Sequence, residues 1–422
     1  MRILYVLLTH LLLPVVVIVE SWQALRRPDY RGRVGPRLGF VARSARPGPI
    51  WVHAVSVGEV QAAAALIREL RLRYPERELV VSTVTPTGAQ RVKSLFKGEV
   101  RHAYLPYDVA GPVRRFLDRV APCVAIVLET EIWPTLYREL NRRHVPLVLA
   151  SARVTERSVG RYRRMAGLFR EALAEGIVIG AQSEADAGRF RTIGAPAERV
   201  FVTGNVKYDL EIPPAAIDAG RQFRARCAPA RNVWIAGSTH EGEEAAALEA
   251  HALIRRAHPG ALLILAPRHP QRFESVRALL RRRAVAFAER SAGSEPTAQD
   301  EVFLLDTLGE LQAFYAAADV AFVGGSLVPI GGHNLLEPAA LARPVVSGPY
   351  TGNAPDIAAA LAAHGALRIV DGAEALAGQV TAWFDDPATA RASGERGRQL
   401  VADGRGAVRR LLQILEPLIG RA

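Results

Sequence analysis

The chain has 422 residues, of which 49% are hydrophobic and 23% charged, and its formal net charge is +12. That length exceeds what one ordinary hydrophobic core organises, so two domains are expected. Two cysteines exclude a disulfide scaffold, and ten scattered histidines give no reason to expect a metal site. The excess of arginine favours an anionic partner, either lipid headgroups or a phosphorylated substrate. Nucleic acid is not expected, because the sequence has no zinc-ligand spacing, no RNP-type aromatic motif and no convincing helix-turn-helix pattern.

The N-terminal segment predicts a membrane anchor over residues 1–22. Ile3 to Val19 is almost wholly apolar, and a helix of that length extends roughly 26 Å, slightly short of the ~30 Å hydrocarbon core. No small-residue cleavage site follows, so a removable signal peptide is not expected. A basic cluster comes next and is expected on the cytoplasmic side, against anionic headgroups. Its members are Arg26, Arg27, Arg31, Arg33 and Arg37. The alternative is that this segment is a buried first helix of the domain.

From residue 50 onward, short apolar runs alternate with amphipathic stretches, the pattern of a parallel sheet covered by helices. The predicted strands of the first half are 50–54, 79–83, 123–128, 146–150, 177–180 and 200–203. Residues 211–231 are rich in proline and predict a linker. The predicted strands of the second half are 233–236, 261–266, 302–305, 320–323 and 344–347. We therefore expect two doubly wound α/β domains, 23–210 and 232–422, facing a cleft at the carboxyl ends of their strands.

Carboxylates and a lysine follow strand ends in the first half. Glu59 lies at a helix start after the first predicted strand, where it can act as a general base towards a hydroxyl. Ser56 and Glu59 also have the S-x-x-E spacing of a capping box, so helix capping is the alternative. Glu129 and Glu131 follow another buried strand as a pair. Lys207 follows a third strand, where it can neutralise a phosphate or a sugar carboxylate, although a solvated lysine is the default.

A glycine-rich segment is the most informative part of the second half. A buried run ends at Gly324-Gly325, and Gly331-Gly332 then precedes an apolar helix that starts near Asn334. Glycines let a backbone approach a ligand, and a helix N-terminus suits a phosphate. Asn334 can cap that helix, and Glu337 lies one turn inside it, where it can accept hydrogen bonds from sugar hydroxyls. An ordinary glycine-rich turn between strand and helix is the alternative.

Three more strand-end loops of the second half offer polar groups at the same edge of the predicted sheet. Ser238 to Glu241 and Thr307 to Glu310 both have capping-box spacing. Arg268 and His269 follow a strand and can reach a phosphate or a base edge. Together with the glycine-rich segment, these loops predict a nucleotide site.

With these motifs assembled, the sequence resembles the 3-deoxy-D-manno-octulosonic acid (Kdo) transferases over nearly its whole length. The resemblance rests on His53-x-x-Ser-x-Gly-Glu59, Glu129-Thr-Glu-x-Trp-Pro134, Ser151-Ala-Arg153, Gly204-Asn-x-Lys207, Ala236-Gly-Ser-Thr-His240, Ala266-Pro-Arg-His-Pro270 and Gly324-Gly-Ser…Gly-Gly-His-Asn-x-x-Glu337. Gln271 departs from the family, which commonly has Glu there. This departure concerns fine donor contacts rather than activity.

The resemblance implies a GT-B glycosyltransferase at the cytoplasmic face of the inner membrane. Its donor would be CMP-Kdo and its acceptor a lipid A precursor, lipid IVA, and transfer would invert the anomeric centre without a metal or other cofactor. Glu59 would accept the proton, while Glu129 and Lys207 would assist the transition state. The residues implied around CMP are Pro267, Arg268, His269, Leu308, Gly309, Glu310, Asn334, Leu335, Leu336 and Glu337. The last helix, 408–416, is a candidate to pack back on the first domain, as GT-B folds often do.

Two alternatives stay open at this point. Another membrane-associated GT-B transferase would use a nucleotide diphosphate sugar, and the nucleotide released would distinguish it. A non-catalytic lipid- or nucleotide-binding scaffold is the second, although intact Glu59, Arg268 and Glu337 argue against loss of the site. A dinucleotide-dependent oxidoreductase is not expected, because no G-x-G-x-x-G follows a first strand.

Overall fold

The computed structural model of the chain describes residues 2–27, 30–154, 159–160 and 177–420. It divides into two compact units, Met1–Asp209 with Gly404–Ala422, and Leu210–Asp403. Each unit contains a seven-stranded parallel sheet on which helices pack. The predicted fold class of two doubly wound α/β units is therefore confirmed.

The sheet of the first unit has the order β3-β2-β1-β4-β5-β6-β7. Its strands are β1 (Ile50–His53), β2 (Leu79–Thr83), β3 (Arg101–Tyr104), β4 (Val124–Leu128), β5 (Leu147–Ala152), β6 (Ile177–Ala181) and β7 (Val200–Val202). The helices are α1 (Arg2–Arg26), α2 (Val34–Arg37), α3 (Val57–Arg73), α4 (Pro86–Phe96), α5 (Ala110–Val120), α6 (Pro134–Arg142), α7 (Glu184–Thr192) and the C-terminal helix Ala407–Ile419. Winding reverses at the neighbouring strands β1 and β4. The loops after these two strands meet at this switch point, where open α/β sheets bind ligands.

The central strands form because their residues are apolar on both faces, as buried parallel strands require. β1, β2 and β4 are buried along their whole length. The sheet has a hydrophobic core on each side. In one core Trp51 packs on Phe116 of α5, with ring centroids 5.0 Å apart.

The C-terminal helix belongs to the first unit. Leu411 and Leu415 on its buried face lie in the same core as β1 and α3. Asp209 holds the start of this helix, because its carboxylate accepts hydrogen bonds from the backbone N–H groups of Gly406 and Val408, both at 2.6 Å. The chain thus leaves the first unit after Asp209 and returns to it at Gly404.

The sheet of the second unit has the order β10-β11-β9-β8-β12-β13-β14. Its strands are β8 (Val233–Thr239), β9 (Leu262–Pro267), β10 (Phe287–Glu289), β11 (Val302–Leu304), β12 (Val320–Val323), β13 (Val345–Ser347) and β14 (Leu367–Ile369). The helices are α8 (Pro214–Cys227), α9 (Glu243–Ala257), α10 (Phe273–Arg282), α11 (Leu311–Ala317), α12 (Leu336–Ala340), α13 (Pro355–Ala363), α14 (Ala373–Asp385) and α15 (Pro387–Gly404). Here winding reverses at β8 and β12, so the loops after these strands occupy the second switch point.

The linker predicted at 211–231 is wrong for most of its length, because α8 occupies residues 214–227. Phe223 of α8 is buried against Phe303 and Phe314, with ring centroids 5.1 and 5.0 Å apart. Gly220 allows close approach, since a Cβ at that position would lie 2.2 Å from a backbone carbonyl oxygen of α11. Proline is well tolerated in the first turn of a helix, so the proline pair begins a helix here.

The N-terminal helix α1 presents an apolar surface. Its segment Ile3–Arg26 is long and apolar enough to cross a membrane, and its most apolar part is not buried. The alternative of a buried core helix is therefore wrong. The basic cluster after α1 is only partly free for headgroups. Arg33 is buried, and Arg37 forms an ion pair with Glu20 of α1 at 2.5 Å.

Candidate active site

Glu59 lies in the first turn of α3, directly after β1. Its carboxylate accepts a hydrogen bond from the backbone N–H of Val55 at 2.8 Å, whereas the Ser56 side chain makes no capping bond. Burial is the main cause that raises the pKa of Glu59 from 4.5 to about 7, and the charges of Glu129 and Glu131 add to it. A carboxylate that titrates near neutral pH is suited to general base catalysis. Glu59 therefore combines a hydrogen bond at the helix start with a raised pKa.

Glu129 directly follows β4, the strand beside β1 at the switch point. Its carboxylate forms an ion pair with Lys207, with 2.8 Å between Oε1 and Nζ. Both side chains are partly buried, which reduces screening by solvent. Glu129 also has a positive φ of 55°, a conformation uncommon outside glycine that tends to occur at functional sites. Burial and the Glu129 charge raise the pKa of Glu131.

A hydrogen-bond network fixes the loop that carries Lys207. The side chain of Asn205 accepts the Lys207 backbone N–H at 2.9 Å and donates to Gln182 at 3.0 Å. Gln182 in turn donates to the Ser151 carbonyl at 2.9 Å, and the Ser151 hydroxyl accepts the Val206 N–H at 3.3 Å. The predicted catalytic residues Glu59, Glu129 and Lys207 are thus brought together in one unit, and the loop of Lys207 is held by side-chain hydrogen bonds.

In the second unit, Glu243 organises the glycine-rich loop. It is fully buried at the first position of α9. One carboxylate oxygen accepts the N–H groups of His240 at 2.9 Å and Gly325 at 2.7 Å, and the other accepts those of Ser326 and Leu327, both at 2.9 Å. Charge-assisted bonds to buried N–H groups are among the stronger hydrogen bonds in proteins. Glu243 therefore ties the loop after β8 to the loop after β12.

Three histidines lie together at this switch point. The Nε2 atoms of His240 and His333 are 2.8 Å apart, and His269 packs edge-on against His240 with 5.1 Å between ring centroids. A hydrogen bond between two Nε2 atoms requires one donor and one acceptor, so at least one of these two rings is neutral. Burial, followed by the Arg268 charge, lowers the pKa of His333 to about 3. Burial also lowers the pKa of His240, and the His269 charge adds to it. Burial and then the Arg268 charge lower the pKa of His269.

Arg268 follows β9 and is half-buried beside these histidines. No residue in the described part of the chain forms a hydrogen bond or ion pair with its guanidinium. Its backbone N–H is used internally, since it donates to the Thr239 carbonyl at 2.9 Å. A half-buried guanidinium beside neutral imidazoles can bind a phosphate bidentately, with hydrogen-bond donors next to it.

The glycine-rich loop is closed against a neighbouring turn. Gly331 has φ 104°, and a Cβ there would lie 2.8 Å from the side chain of Asn353. That side chain donates to the Gly332 carbonyl at 2.9 Å. The predicted cap at Asn334 is wrong in its position, because the N-cap is Leu335, but Asn334 Oδ1 does accept the N–H of the first helical residue, Leu336, at 3.1 Å. However, α12 has only five residues, so its dipole contributes less to phosphate binding than a longer helix would.

The other predicted donor residues lie at the end of β9, in the loop after β11 and at the start of α12, all in the second unit. Leu335 and Leu336 are buried, and Pro267 ends β9. His269 and Leu308 are exposed, and Gly309 has a positive φ of 90°. Glu337 is close enough to Tyr315 that its charge, after burial, raises the pKa of that phenol. Glu310 is held by Arg290, with 2.6 Å between Oε1 and Nη2, and this bond lowers the Glu310 pKa.

Comparison with known proteins identifies the family. The family model for 3-deoxy-D-manno-octulosonic acid transferase (Kdo transferase) matches residues 32–210. The 3-deoxy-D-manno-octulosonic acid transferase of Haemophilus influenzae is 38% identical over 100% of this chain and 99% of the relative. The enzyme of the same name from Bordetella pertussis is 40% identical over 95% of this chain and 93% of the relative. The chain belongs to the Kdo transferase family. It is therefore a glycosyltransferase, as the sequence motifs indicate.

A solved structure supports the fold independently. The Anabaena protein HepE in complex with UDP aligns with a TM-score of 0.55, covering 88% of this chain and 99% of HepE, at 17% identity. At that identity the likeness concerns the fold alone, and it agrees with the GT-B class predicted for this Kdo transferase family member.

The sequence does not single out Glu243, which accepts four backbone N–H groups in the second unit. Ser238 and Glu241 have capping-box spacing, but Ser238 has φ 57° and β8 continues through Thr239. The helix consequently starts four residues later than that spacing suggests, and Glu243 takes the structural role. His240 and His333 stand inside motifs of the Kdo transferase family, but their spacing of 93 residues gives no local signal that they touch.

Proposed function

We propose that this protein transfers Kdo from CMP-Kdo to a hydroxyl group of the lipid A precursor lipid IVA, with inversion and without a metal ion. The observation that carries the proposal is Glu59, a carboxylate with a pKa of about 7 at the first switch point of a Kdo transferase family member. A glycosyl transfer to a hydroxyl needs a group that can take a proton near neutral pH. Glu59 meets that requirement.

In the proposed step the acceptor oxygen forms a bond to the anomeric carbon of Kdo as its proton passes to Glu59. The bond between that carbon and the phosphate oxygen breaks, and its electron pair leaves with CMP. Attack from the face opposite the leaving group inverts the anomeric centre in a single displacement. Lys207, oriented by the Glu129 carboxylate at 2.8 Å, supplies a fixed positive charge for the negative charge that develops or for the sugar carboxylate.

The donor nucleotide would bind on the loops of the second unit. Arg268 is the proposed partner of the CMP phosphate, because its guanidinium is half-buried and unpaired among the described residues. A monophosphate leaving group carries a modest charge, which one guanidinium and nearby N–H donors can neutralise without a divalent cation. Glu337 is the proposed partner of the ribose hydroxyls. Glu310 is already paired with Arg290, so the loop 308–310 would contact CMP chiefly through its backbone.

The proposed site of action is the cytoplasmic face of the inner membrane. The acceptor is a phosphorylated glycolipid, and the chain combines an exposed apolar helix with a net charge of +12. An apolar helix with adjacent exposed arginines gives both a hydrophobic and an electrostatic contribution to binding an anionic membrane.

The test uses purified full-length protein, CMP-Kdo and lipid IVA, with mass spectrometry of the lipid product and separate detection of released CMP. We expect a mass increase of one or more Kdo residues with stoichiometric CMP, unchanged by EDTA. The Glu59→Gln variant is the matched control, because it keeps the side-chain size and the acceptor for the Val55 N–H. Turnover only with a nucleotide diphosphate sugar, or turnover abolished by EDTA, would contradict the proposal. Absence of any transfer under conditions in which the Haemophilus influenzae relative is active would favour a binding scaffold.

The donor assignment has its own measurement. Calorimetric titration of CMP into Glu337→Ala should show roughly ten- to a hundredfold weaker binding, the effect of losing a charged hydrogen-bond partner. Lipid IVA binding should stay unchanged in this variant. Wild-type CMP affinity would place the ribose elsewhere.

A further inference from the structure

The helix α1 is held against the first unit near both of its ends. At one end the Tyr5 hydroxyl donates to Asp108 Oδ2 at 2.6 Å. At the other, Glu20 accepts from Arg37 Nη1 at 2.5 Å and lies 3.8 Å from Arg33. Fifteen residues of helix between Tyr5 and Glu20 extend about 22 Å. Two contacts that far apart align the helix with the surface of the unit.

Asp108 and Arg33, which bind α1, are themselves buried in the first unit. Asp108 is 8% exposed, and its carboxylate also accepts the N–H groups of Thr135 at 3.0 Å and Leu136 at 2.8 Å at the start of α6. Arg33 is 4% exposed and donates to the Val84 carbonyl at 2.6 Å. Neither group can follow α1 into a bilayer unless the unit itself enters the hydrocarbon.

The two faces of α1 differ in the way this contact requires. One face is partly buried, and its members recur at helical spacing: Tyr5, Thr9, Leu13, Val17, Glu20 and Ala24. The opposite face is exposed and apolar, with Ile3 and Leu11 each 75%, Ile18 67% and Leu25 78% exposed. A continuous apolar face of this length is larger than a soluble surface ordinarily carries.

We propose that α1 lies in the plane of the membrane interface, with its exposed apolar face in the lipid and its other face on the first unit, instead of crossing the bilayer. This rests on the proposed membrane association and specifies its geometry. The partner is an anionic phospholipid surface, because exposed Arg26, Arg27 and Arg31 follow the apolar face. Arg26 lies 3.9 Å from the ring centroid of Trp22, a pair that suits the headgroup level.

A spanning helix would break this arrangement. Tyr5 would lie about 22 Å in depth from Glu20, and the Asp108 carboxylate would have to accompany it into the hydrocarbon, at a large cost. In-plane binding keeps both contacts and buries the exposed face about 5–10 Å into the headgroup boundary.

Spin labels on single cysteines of the full-length protein measure the depth directly. The background replaces Cys123 and Cys227 with serine and is checked for wild-type transfer activity. Labels at Leu4, Leu11 and Ile18 report the exposed face, and labels at Leu13 and Val17 are the matched controls on the other face. The protein is bound to vesicles of phosphatidylethanolamine with phosphatidylglycerol, and collision with oxygen and with a nickel chelate gives the depth.

In-plane binding predicts equal depth for Leu4, Leu11 and Ile18, with Leu13 and Val17 clearly shallower. A span predicts that Leu11 and Leu13 are both deep and that Leu4 and Ile18 are shallower by roughly 10 Å, seven residues of helix away. That second profile would overturn the inference while leaving the membrane association and the transferase proposal intact. Failure of the protein to sediment with the vesicles would instead overturn the association itself, and transfer in detergent would report the chemistry separately.

Discussion

The pH dependence of transfer tests the role of Glu59 most sharply, because two neighbouring charges act on it in opposite directions. A general base works only in its ionised form, so kcat/KM should rise with pH through the Glu59 pKa of about 7 and level off above it. Between pH 6 and pH 8 the ionised fraction goes from about one tenth to about nine tenths, so the rate should rise about tenfold. Glu59→Gln should lower kcat by ~10²–10⁴-fold and remove this dependence.

Neighbour substitutions then identify the titrating group. The Lys207 charge lowers the Glu59 pKa and the Glu129 charge raises it. Lys207→Met should therefore move the midpoint of the kcat/KM profile to higher pH, and Glu129→Gln should move it to lower pH. Both substitutions are also expected to reduce the maximum rate, so the midpoint and not the rate is the decisive quantity.

The assay follows CMP release at a fixed low acceptor concentration from pH 5.5 to 9, with the same buffers and ionic strength for every variant. The acceptor phosphates also titrate in this range, but their pKa does not depend on the protein variant in the free substrate. A midpoint that stays fixed in both variants would therefore belong to the substrate, and the assignment of Glu59 as base would fail. Near-wild-type turnover in Glu59→Gln would leave the residue only its hydrogen bond to the Val55 N–H.

Three other measurements follow from the same contacts. Because folding raises the Glu59 pKa from 4.5 to about 7, the ionised Glu59 carboxylate destabilises the folded protein increasingly as the pH rises through that range. Glu59→Gln should therefore raise the free energy of unfolding at pH 8 by up to about 3 kcal/mol and leave it unchanged at pH 4. Denaturant titration at the two pH values measures this difference. Arg268→Ala should weaken CMP binding roughly ten- to a hundredfold and flatten the salt dependence of that binding. The control Arg281→Ala, at an exposed arginine of α10, should change neither quantity. Equal salt slopes for the wild type and Arg268→Ala in calorimetry would argue against a phosphate contact. Gly348→Ala would place a Cβ 2.1 Å from a backbone oxygen of the glycine-rich loop, while Gly352 has open space around it. Gly348→Ala should therefore lower the free energy of unfolding by ~1–3 kcal/mol and weaken CMP binding. The control Gly352→Ala should change neither stability nor CMP affinity.

The sequence predicts the interior of both sheets well and their edges poorly. Every predicted strand is present within a few residues, because central parallel strands are continuous apolar runs. The three strands that were not predicted, β3, β10 and β14, all lie at a sheet edge. They are short and carry charged residues, such as Arg101 in β3 and Arg368 in β14. These three edge strands contain no continuous apolar run, so no pattern predicts them, whereas the fourth edge strand, β7, is Val-Phe-Val and was predicted.

The residues of the candidate site could also be predicted only in part. Glu59, Glu129 and Lys207 could be placed near each other from sequence because each follows a strand, and strand ends of a parallel sheet share one edge. Glu243 could not be singled out, because Glu241 and Glu244 stand beside it and only the start of α9 decides which carboxylate meets the backbone N–H groups of the glycine-rich loop. Local spacing cannot resolve a helix start to within two residues.

The route of the chain through its two units has a consequence for dissecting it. The second unit is one uninterrupted segment, Leu210–Asp403, whereas the first is completed only when the last residues return to it. A gene fragment for residues 210–403 should give a soluble nucleotide-binding module. A fragment that stops at 209 should not give its counterpart, because the buried face of the C-terminal helix, including Leu411, Leu415 and Ile419, would be missing from its core. During synthesis the first unit therefore stays unfinished until the ribosome has made the whole second unit. The first unit is begun first but completed last.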